Sequence, residues 1–208
     1  MERFCKDFKR FALCGGYYEM KYHDIQKTSM VNGEGLRTIL WVSGCSHHCK
    51  GCQNPITWDP DDGLEFNKDA EQELFTYLDK DYCDGLTLSG GDPLYPQNRK
   101  DVLKIIHDFR MKFWWTKTIW LYTGYTMEEL DKENDADVRE ILYYIDVLVD
   151  GPYIEEQRNT KRYWVGSDNQ EIWKKDEHGR WYKTEKQYEK SLNELNTTEQ
   201  HQKECGCE

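Results

Sequence analysis

Residues 36–52 read LRTILWVSGCSHHCKGC, and this stretch decides the fold class. Its first part, residues 36–44, is rich in β-branched and aromatic side chains and ends at a glycine, a pattern typical of a strand. Cys45, Cys49 and Cys52 follow at once in a C-x3-C-x2-C arrangement. The sequence therefore predicts a strand that leads directly into a loop with three cysteines, residues that can bind a metal or take part in catalysis.

Further strands follow, each ending in a turn. GLTLSGGDP (residues 85–93), TIWLYTG (118–124) and DVLVDGPY (146–153) are short apolar runs closed by glycine. Between them lie segments of helical spacing, with apolar residues at Ala70, Leu74, Leu78, Val102, Ile106, Phe109, Phe113, Val138, Ile141, Leu142 and Ile145. Strands that alternate with helices predict parallel βαβ units in an α/β fold, as a barrel or an open, partial barrel. Such folds place their chemistry at the carboxyl edge of the sheet.

Turn and cap residues support these elements. Asn67 is expected to cap the first helix, and Thr126 with Glu129 forms a capping box for a later one. The segment WKKDEHGRWYK, residues 173–183, is expected to form a hairpin. The pattern weakens at both ends of the chain. We therefore expect an N-terminal extension over 1–20, a main domain over 21–173 and a C-terminal extension over 174–208.

Charge and composition exclude some classes of partner. The chain has 208 residues, of which 28 are Lys or Arg and 39 are Asp or Glu, so its net charge is −11. An acidic chain is poorly suited to nucleic acid and to anionic membranes, because both carry negative charge. No stretch is long and apolar enough to span a bilayer. Protein and small-molecule partners remain compatible with this composition.

Cysteine usage indicates the compartment. There are eight cysteines and no apolar leader at the N-terminus, so the cytoplasm is the expected location. Clustered cysteines in that reducing compartment more often bind metals than form disulfides. The isolated Cys5, Cys14 and Cys83 are interpreted as structural. Cys205 and Cys207 form a C-x-C pair in the C-terminal segment. The pair is interpreted as part of a tail, with an accessory metal or redox site as the alternative.

Two kinds of site fit the triad. Thiolates suit iron–sulfur clusters, zinc or copper. Three cysteines are one short of the usual four for a [4Fe-4S] cluster, which would leave one iron open to a ligand other than protein. The alternative is a structural zinc site with His47 or His48 as the fourth ligand. Spacing alone leaves both possibilities open.

The wider sequence resembles a known family. A C-x3-C-x2-C loop after the first strand is similar to the signature of the radical S-adenosylmethionine superfamily. The ordered set VNGEGLRTILWVSGCSHHCKGCQNPITW, SGGDPLYPQN, LYTGYT, DVLVDGPY and YWVGSDNQ resembles the activating proteins of anaerobic ribonucleoside-triphosphate reductase. This resemblance covers roughly residues 22–173 and implies an open parallel β/α barrel of the radical S-adenosylmethionine type.

The resemblance also implies cofactors, partners and residue roles. Cys45, Cys49 and Cys52 would bind three irons of a [4Fe-4S] cluster, and S-adenosylmethionine would chelate the fourth. Reductive cleavage would give a 5′-deoxyadenosyl radical that takes hydrogen from a glycine of the reductase. The implied electron donor is a flavodoxin or a ferredoxin. The positions that match the family's cofactor contacts are Gly51, Cys52, Gln53, Gly90, Gly91 and Asp92.

Several polar residues near the motifs have open interpretations. From the sequence alone, residues 32–35 and Arg37 are interpreted as a turn before the first strand; the resemblance implies a position near the mouth of the active site, without an assigned role. Thr123, Asp150 and Asn169 follow later strands and are expected either to contact the cofactor or target, or to bond to nearby backbone. Two rival functions remain: a radical S-adenosylmethionine enzyme with another target, such as pyruvate formate-lyase or a small molecule, and a zinc-binding interaction module.

Overall fold

The computed structural model describes residues 18–188, and within them eight strands form one mixed sheet in the order β3-β1-β2-β4-β5-β6-β7-β8. The predictions made for Cys5, Cys14, Cys205 and Cys207 lie outside these residues. The strands are β1 Lys21–Ser29, β2 Arg37–Val42, β3 Leu64–Glu65, β4 Gly85–Gly90, β5 Thr118–Tyr122, β6 Val147–Asp150, β7 Glu171–Lys175 and β8 Trp181–Lys183.

The centre of the sheet is parallel, as the sequence predicts. Strands β2, β4, β5 and β6 pair in that order, with Leu40 beside Leu88, Leu88 beside Leu121, and Leu121 beside Leu148. The flanking strands β1, β3, β7 and β8 are antiparallel to their neighbours. With β3 at one edge and β8 at the other, the fold is a mixed α/β structure with an open sheet.

Four helices cover one face of this sheet in the described part of the chain: α1 Lys68–Leu78, α2 Arg99–Phe113, α3 Met127–Glu133 and α4 Ala136–Tyr144. Their apolar sides join strand residues such as Leu86 and Leu121 in the main hydrophobic core. The opposite face carries a smaller cluster around Trp120, to which no helix contributes. The fold thus leaves one face of the sheet to loops.

The predicted helix caps are confirmed. Asn67 accepts hydrogen bonds from the backbone N–H groups of Asp69 and Ala70 at the start of α1. Thr126 and Glu129 form the reciprocal capping box of α3. Each such cap stabilises a helix by about 1 kcal/mol, because it satisfies backbone donors that the helix cannot.

Both ends of the sheet differ in detail from the sequence expectation. Tyr18 and Met20 are buried in the main core, and the Asp101 carboxylate accepts from the backbone N–H of Met20 at 2.7 Å. Strand β1 was not predicted. The expected hairpin is confirmed as β7 and β8, and β7 runs through the domain boundary expected at residue 173.

No helix among residues 18–188 is both long enough and apolar enough to cross a bilayer.

A buried arginine joins α2 to the strand edge. Arg110 is only 1% exposed, and its Nη2 lies 2.6 Å from the Asp146 carboxylate. Its remaining N–H groups donate to the backbone carbonyls of Tyr144, Trp114 and Lys117. A buried cation is tolerated when it is paired and its donors are satisfied in this way.

Replacing Arg110 by methionine is expected to lower the free energy of unfolding by about 3–5 kcal/mol, because Asp146 and three carbonyls lose their partner. Urea unfolding measures this change. Arg139→Met, at an exposed position of α4, is the matched control and should change the free energy of unfolding by less than about 0.5 kcal/mol. Equal losses in the two variants would contradict the structural role given to Arg110.

Candidate functional site

A cavity of about 500 Å³ opens at the carboxyl edge of the parallel strands. The three predicted cysteines line it on one side, together with the turns that end β4 and β5. Parallel strands bring their following loops to the same edge, so motifs far apart in sequence meet here. The cavity is in the size range of small-molecule and cofactor sites.

The cysteine loop is fixed by backbone hydrogen bonds. Gly44 N–H donates to the Thr57 carbonyl at 2.8 Å, and Cys45 N–H donates to the Trp58 carbonyl at 3.0 Å. Cys52 N–H donates back to the Cys49 carbonyl at 3.1 Å. The loop therefore holds its three thiols in place through the main chain.

The chemistry of these donors fits a [4Fe-4S] cluster. Cys45, Cys49 and Cys52 are free thiols and only half-buried. Burial raises the pKa of the Cys45 thiol to about 11 and raises the pKa of Cys49 as well, so metal loading must displace their protons.

A single zinc ion places a different geometric demand on the same thiols. Zinc draws each thiolate sulfur to about 2.3 Å, so three would have to converge on one point. Within residues 18–188, no three side chains of the Cys, His, Asp or Glu type are placed to hold one metal ion. A cluster instead takes one cysteine on each of three irons, which spreads the sulfurs apart.

The glycine turn after β4 forms the adjacent wall. Gly90 has a φ of +109°, which side chains rarely adopt, and both Gly90 and Gly91 line the cavity. A Cβ atom on Gly91 would lie 2.5 Å from the Gly44 carbonyl oxygen and 2.7 Å from that of Thr57. The absence of a side chain lets this turn lie directly against the cysteine loop.

Asp92 links three loops of the site. Its carboxylate is 1% exposed and lies 2.9 Å from His47 Nε2 in the cysteine loop. It also accepts from the Thr123 hydroxyl and the Gly124 N–H at 2.9 Å, and from the Leu94 N–H at 2.8 Å. With both oxygens engaged, Asp92 positions the site and does not line the cavity.

Asp92→Asn is expected to lower the free energy of unfolding by about 2 kcal/mol and to reduce the bound iron. The asparagine side chain would place its NH2 group next to hydrogen-bond donors that now donate to a carboxylate oxygen of Asp92. Urea unfolding and iron analysis measure the two effects. Asp62→Asn, whose side chain bonds only its neighbour Gly63 in an exposed turn, is the control. Normal stability and iron content in Asp92→Asn would contradict this linking role.

The remaining predicted contacts divide between the cavity and its support. Cys52 and Gln53 line the cavity. Gly51 does not: its φ is +73°, which side chains rarely adopt, so the backbone of the cysteine loop requires a glycine there. His48 also lies outside the lining, with its ring against Trp58.

Four other polar residues make local bonds. Thr123 lines the cavity but bonds Asp92. Asp150 accepts from the Met127 N–H at the start of α3, and Asn169 donates to the Pro152 carbonyl. Arg37 is buried at the start of β2, where it donates to carbonyls and threonine hydroxyls, and burial lowers its pKa to about 10. These side chains therefore bond to groups within the protein, although Asn169 Oδ1 is buried without a partner among the described residues.

Sequence reasoning missed the opposite side of the cavity. Residues there come from two loops within the segments that the resemblance covers; Asn32 was expected near the mouth of the active site, but no contact was assigned to any of them: Met30, Val31, Asn32, Tyr163, Trp164, Val165 and Gly166. The left-handed φ of +59° at Trp164 and the glycines around residues 33–35 mark irregular backbone in both loops. No metal or nucleophile motif accompanies them.

Comparison with known proteins gives a consistent set of similarities. Residues 31–173 match the model of a family described as a 4Fe-4S single cluster domain. The chain is 44% identical over 154 residues to an anaerobic ribonucleoside-triphosphate reductase-activating protein of Enterobacteria phage T4, covering 74% of this chain and 94% of the relative. Proteins of the same name in Vibrio cholerae and Escherichia coli K12 are 43% and 39% identical, each over 155 residues, 74% of this chain and 97% of the relative.

Proposed function

Because the chain belongs to the family of anaerobic ribonucleoside-triphosphate reductase-activating proteins, we propose that it makes the glycyl radical of that reductase by cleaving S-adenosylmethionine at a [4Fe-4S] cluster. The observation that carries this proposal is the meeting of the cysteine triad with the glycine turn across one cavity. The open α/β sheet is consistent with a partial barrel of the radical S-adenosylmethionine type.

We assign the cluster to Cys45, Cys49 and Cys52. Three ligands leave the fourth iron for the amino and carboxylate groups of S-adenosylmethionine. Once reduced by an external donor, a bound cluster would supply one electron to the sulfonium of S-adenosylmethionine; this would yield methionine and a 5′-deoxyadenosyl radical, which would take a hydrogen atom from glycine to give 5′-deoxyadenosine and a glycyl radical. The chain's own residues hold, orient and shield these groups.

Residues of the glycine turn orient the cosubstrate in this proposal. Gly90 and Gly91 expose backbone to the cavity beside the cysteines, so the amino-acid part of S-adenosylmethionine can approach closely. Gln53 offers an amide for polar contact on the same side. Asp92 supports this wall through the three loops that it joins, whereas Gly51 supplies the left-handed backbone that the cysteine loop requires.

We propose the electron donor that the family resemblance implies, together with a cytoplasmic location. A low-potential protein such as a flavodoxin or ferredoxin would supply the electron. A cytoplasmic setting would keep the cysteines reduced and ready to bind iron. We propose no role for nucleic acid or for a membrane, in keeping with the net charge of −11.

Electron paramagnetic resonance on mixed proteins tests the target. The reconstituted protein is incubated anaerobically with the anaerobic reductase, S-adenosylmethionine and dithionite. A glycyl radical signal on the reductase is expected, and omission of S-adenosylmethionine should remove it. An active cluster that forms 5′-deoxyadenosine yet never gives the glycyl signal would exclude this target.

A further inference from the structure

The cavity continues as a groove over the face of the sheet that the helices leave uncovered. One wall is residues 30–32, between β1 and β2, and the other is residues 163–166, before β7. Trp41 of β2 also lines the cavity. We call this part of the cavity the outer groove, to separate it from the cysteine and glycine side.

Both walls of the outer groove are anchored. Ser29 and Asn32 bond each other through their side chains, and the Thr87 hydroxyl donates to the Asn32 carbonyl at 2.8 Å. In the second wall, Gln170 Oε1 accepts from the Gly166 N–H at 2.8 Å, and the Trp164 ring lies 5.3 Å from that of Trp120. Hydrogen bonds and ring packing therefore hold both walls of the groove in place.

Apolar side chains stand exposed on these anchored walls. Met30 and Val31 are 73% and 75% exposed, and Tyr163 across the groove is 41% exposed. A contiguous apolar surface that borders a reaction cavity is a common mark of a protein-binding site. Two neighbouring side chains this exposed contribute little to the core, so a role in folding does not explain them.

The proposed reaction indicates which kind of molecule binds in the outer groove. The hydrogen atom comes from a glycine of another protein, so a polypeptide segment must reach the interior of the cavity past its rim. Glycine offers no side chain to recognise, and binding must come from the flanking residues and the backbone. An apolar, open groove that leads to the cysteines suits such a segment, whereas a small polar substrate would gain little from it.

We propose that the outer groove binds the glycine-bearing segment of the reductase, with Met30 and Val31 as its principal apolar contacts. This inference rests on the proposed function and adds the surface that recognises the protein substrate. Met30 and Val31 contact the target and not S-adenosylmethionine, so their loss weakens docking and leaves cosubstrate cleavage intact.

The double variant Met30→Gln/Val31→Thr tests this assignment. Both side chains are largely exposed, so the fold should be unaffected. We expect the reductase concentration that gives half-maximal glycyl radical to rise about tenfold, as for loss of an ordinary interface contact. The rate of 5′-deoxyadenosine formation without reductase, and its dependence on S-adenosylmethionine, should match the wild type. Met111→Gln, at a 47% exposed methionine of α2 outside the cavity, is the matched control and should change neither.

Each outcome has a distinct meaning. An unchanged half-maximal reductase concentration in the double variant, beside an active wild type, overturns the groove assignment and leaves the proposed function standing. A shift in the S-adenosylmethionine dependence overturns it too, because the two residues would then belong to the cofactor site. Wild-type protein that cleaves S-adenosylmethionine but gives no glycyl signal overturns the proposed function and this inference together.

Discussion

Replacing Cys49 by alanine is expected to abolish 5′-deoxyadenosine formation and to leave the protein without a stable [4Fe-4S] cluster. Cys49 lines the cavity in the middle of the loop whose other two cysteines, Cys45 and Cys52, would supply the remaining ligands in the proposed assignment. A cluster with two protein thiolates would lose a second iron site to solvent, and the geometry that chelates S-adenosylmethionine would be lost with it. Iron and sulfide analysis after anaerobic reconstitution, together with product analysis, measures both effects.

Cys83→Ala is the matched control for this experiment. Cys83 is also a free cysteine, but it is 4% exposed, and its Sγ lies 3.5 Å from the Gly85 carbonyl and from the Thr38 hydroxyl. It is expected to keep full iron content and product formation while losing about 1–2 kcal/mol of stability from the core. Full iron content in Cys49→Ala, or loss of iron in Cys83→Ala, would contradict the ligand assignment.

Gly91→Ala is expected to lower 5′-deoxyadenosine formation at limiting S-adenosylmethionine on the order of a hundredfold, because a Cβ there forces two backbones apart. Its nearest neighbours would be the carbonyl oxygens of Gly44 and Thr57 at 2.5 and 2.7 Å, and neither is a side chain that can turn away. The glycine turn must therefore move relative to the cysteine loop. Titration of product formation against S-adenosylmethionine measures the effect.

Gly179→Ala separates this clash from a general cost of losing glycine. Gly179 lies in the β7–β8 turn with a φ of +75°, and a Cβ there would meet no atom within 4 Å. This control is expected to cost about 1–2 kcal/mol of stability through its backbone conformation and to leave product formation unchanged. If Gly91→Ala behaved like Gly179→Ala, the glycine turn would not be a close-packed wall of the site.

The sequence was most informative where local pattern and topology agree. The four parallel strands are short apolar runs closed by glycine, and the helices show regular apolar spacing, so both could be predicted. The capping residues Asn67 and Thr126 make bonds within three residues of themselves, which sequence spacing alone encodes. The meeting of the cysteine loop with Gly90 and Gly91 followed from the rule that parallel strands end at one edge.

The parts that could not be predicted depend on distant contacts or irregular backbone. Strand β1 buries Tyr22, Ile25 and Ser29, and register shifts between Tyr22 and Asp24 and between Gln26 and Ser29 erase the alternation that marks a strand. Asp92 stands in a motif of cofactor contacts, yet its partners His47 and Thr123 come from other loops. Both walls of the outer groove lie in segments that the resemblance covers, but a linear motif does not show that residues 30–32 and 163–166 line one cavity.

The most direct test of the account is whether the protein cleaves S-adenosylmethionine. Protein purified without oxygen and reconstituted with iron and sulfide is reduced with dithionite, given S-adenosylmethionine, and assayed for 5′-deoxyadenosine. We expect an iron–sulfur protein that forms 5′-deoxyadenosine only when both the reductant and S-adenosylmethionine are present. A colourless protein that carries one zinc ion and forms no 5′-deoxyadenosine would contradict it.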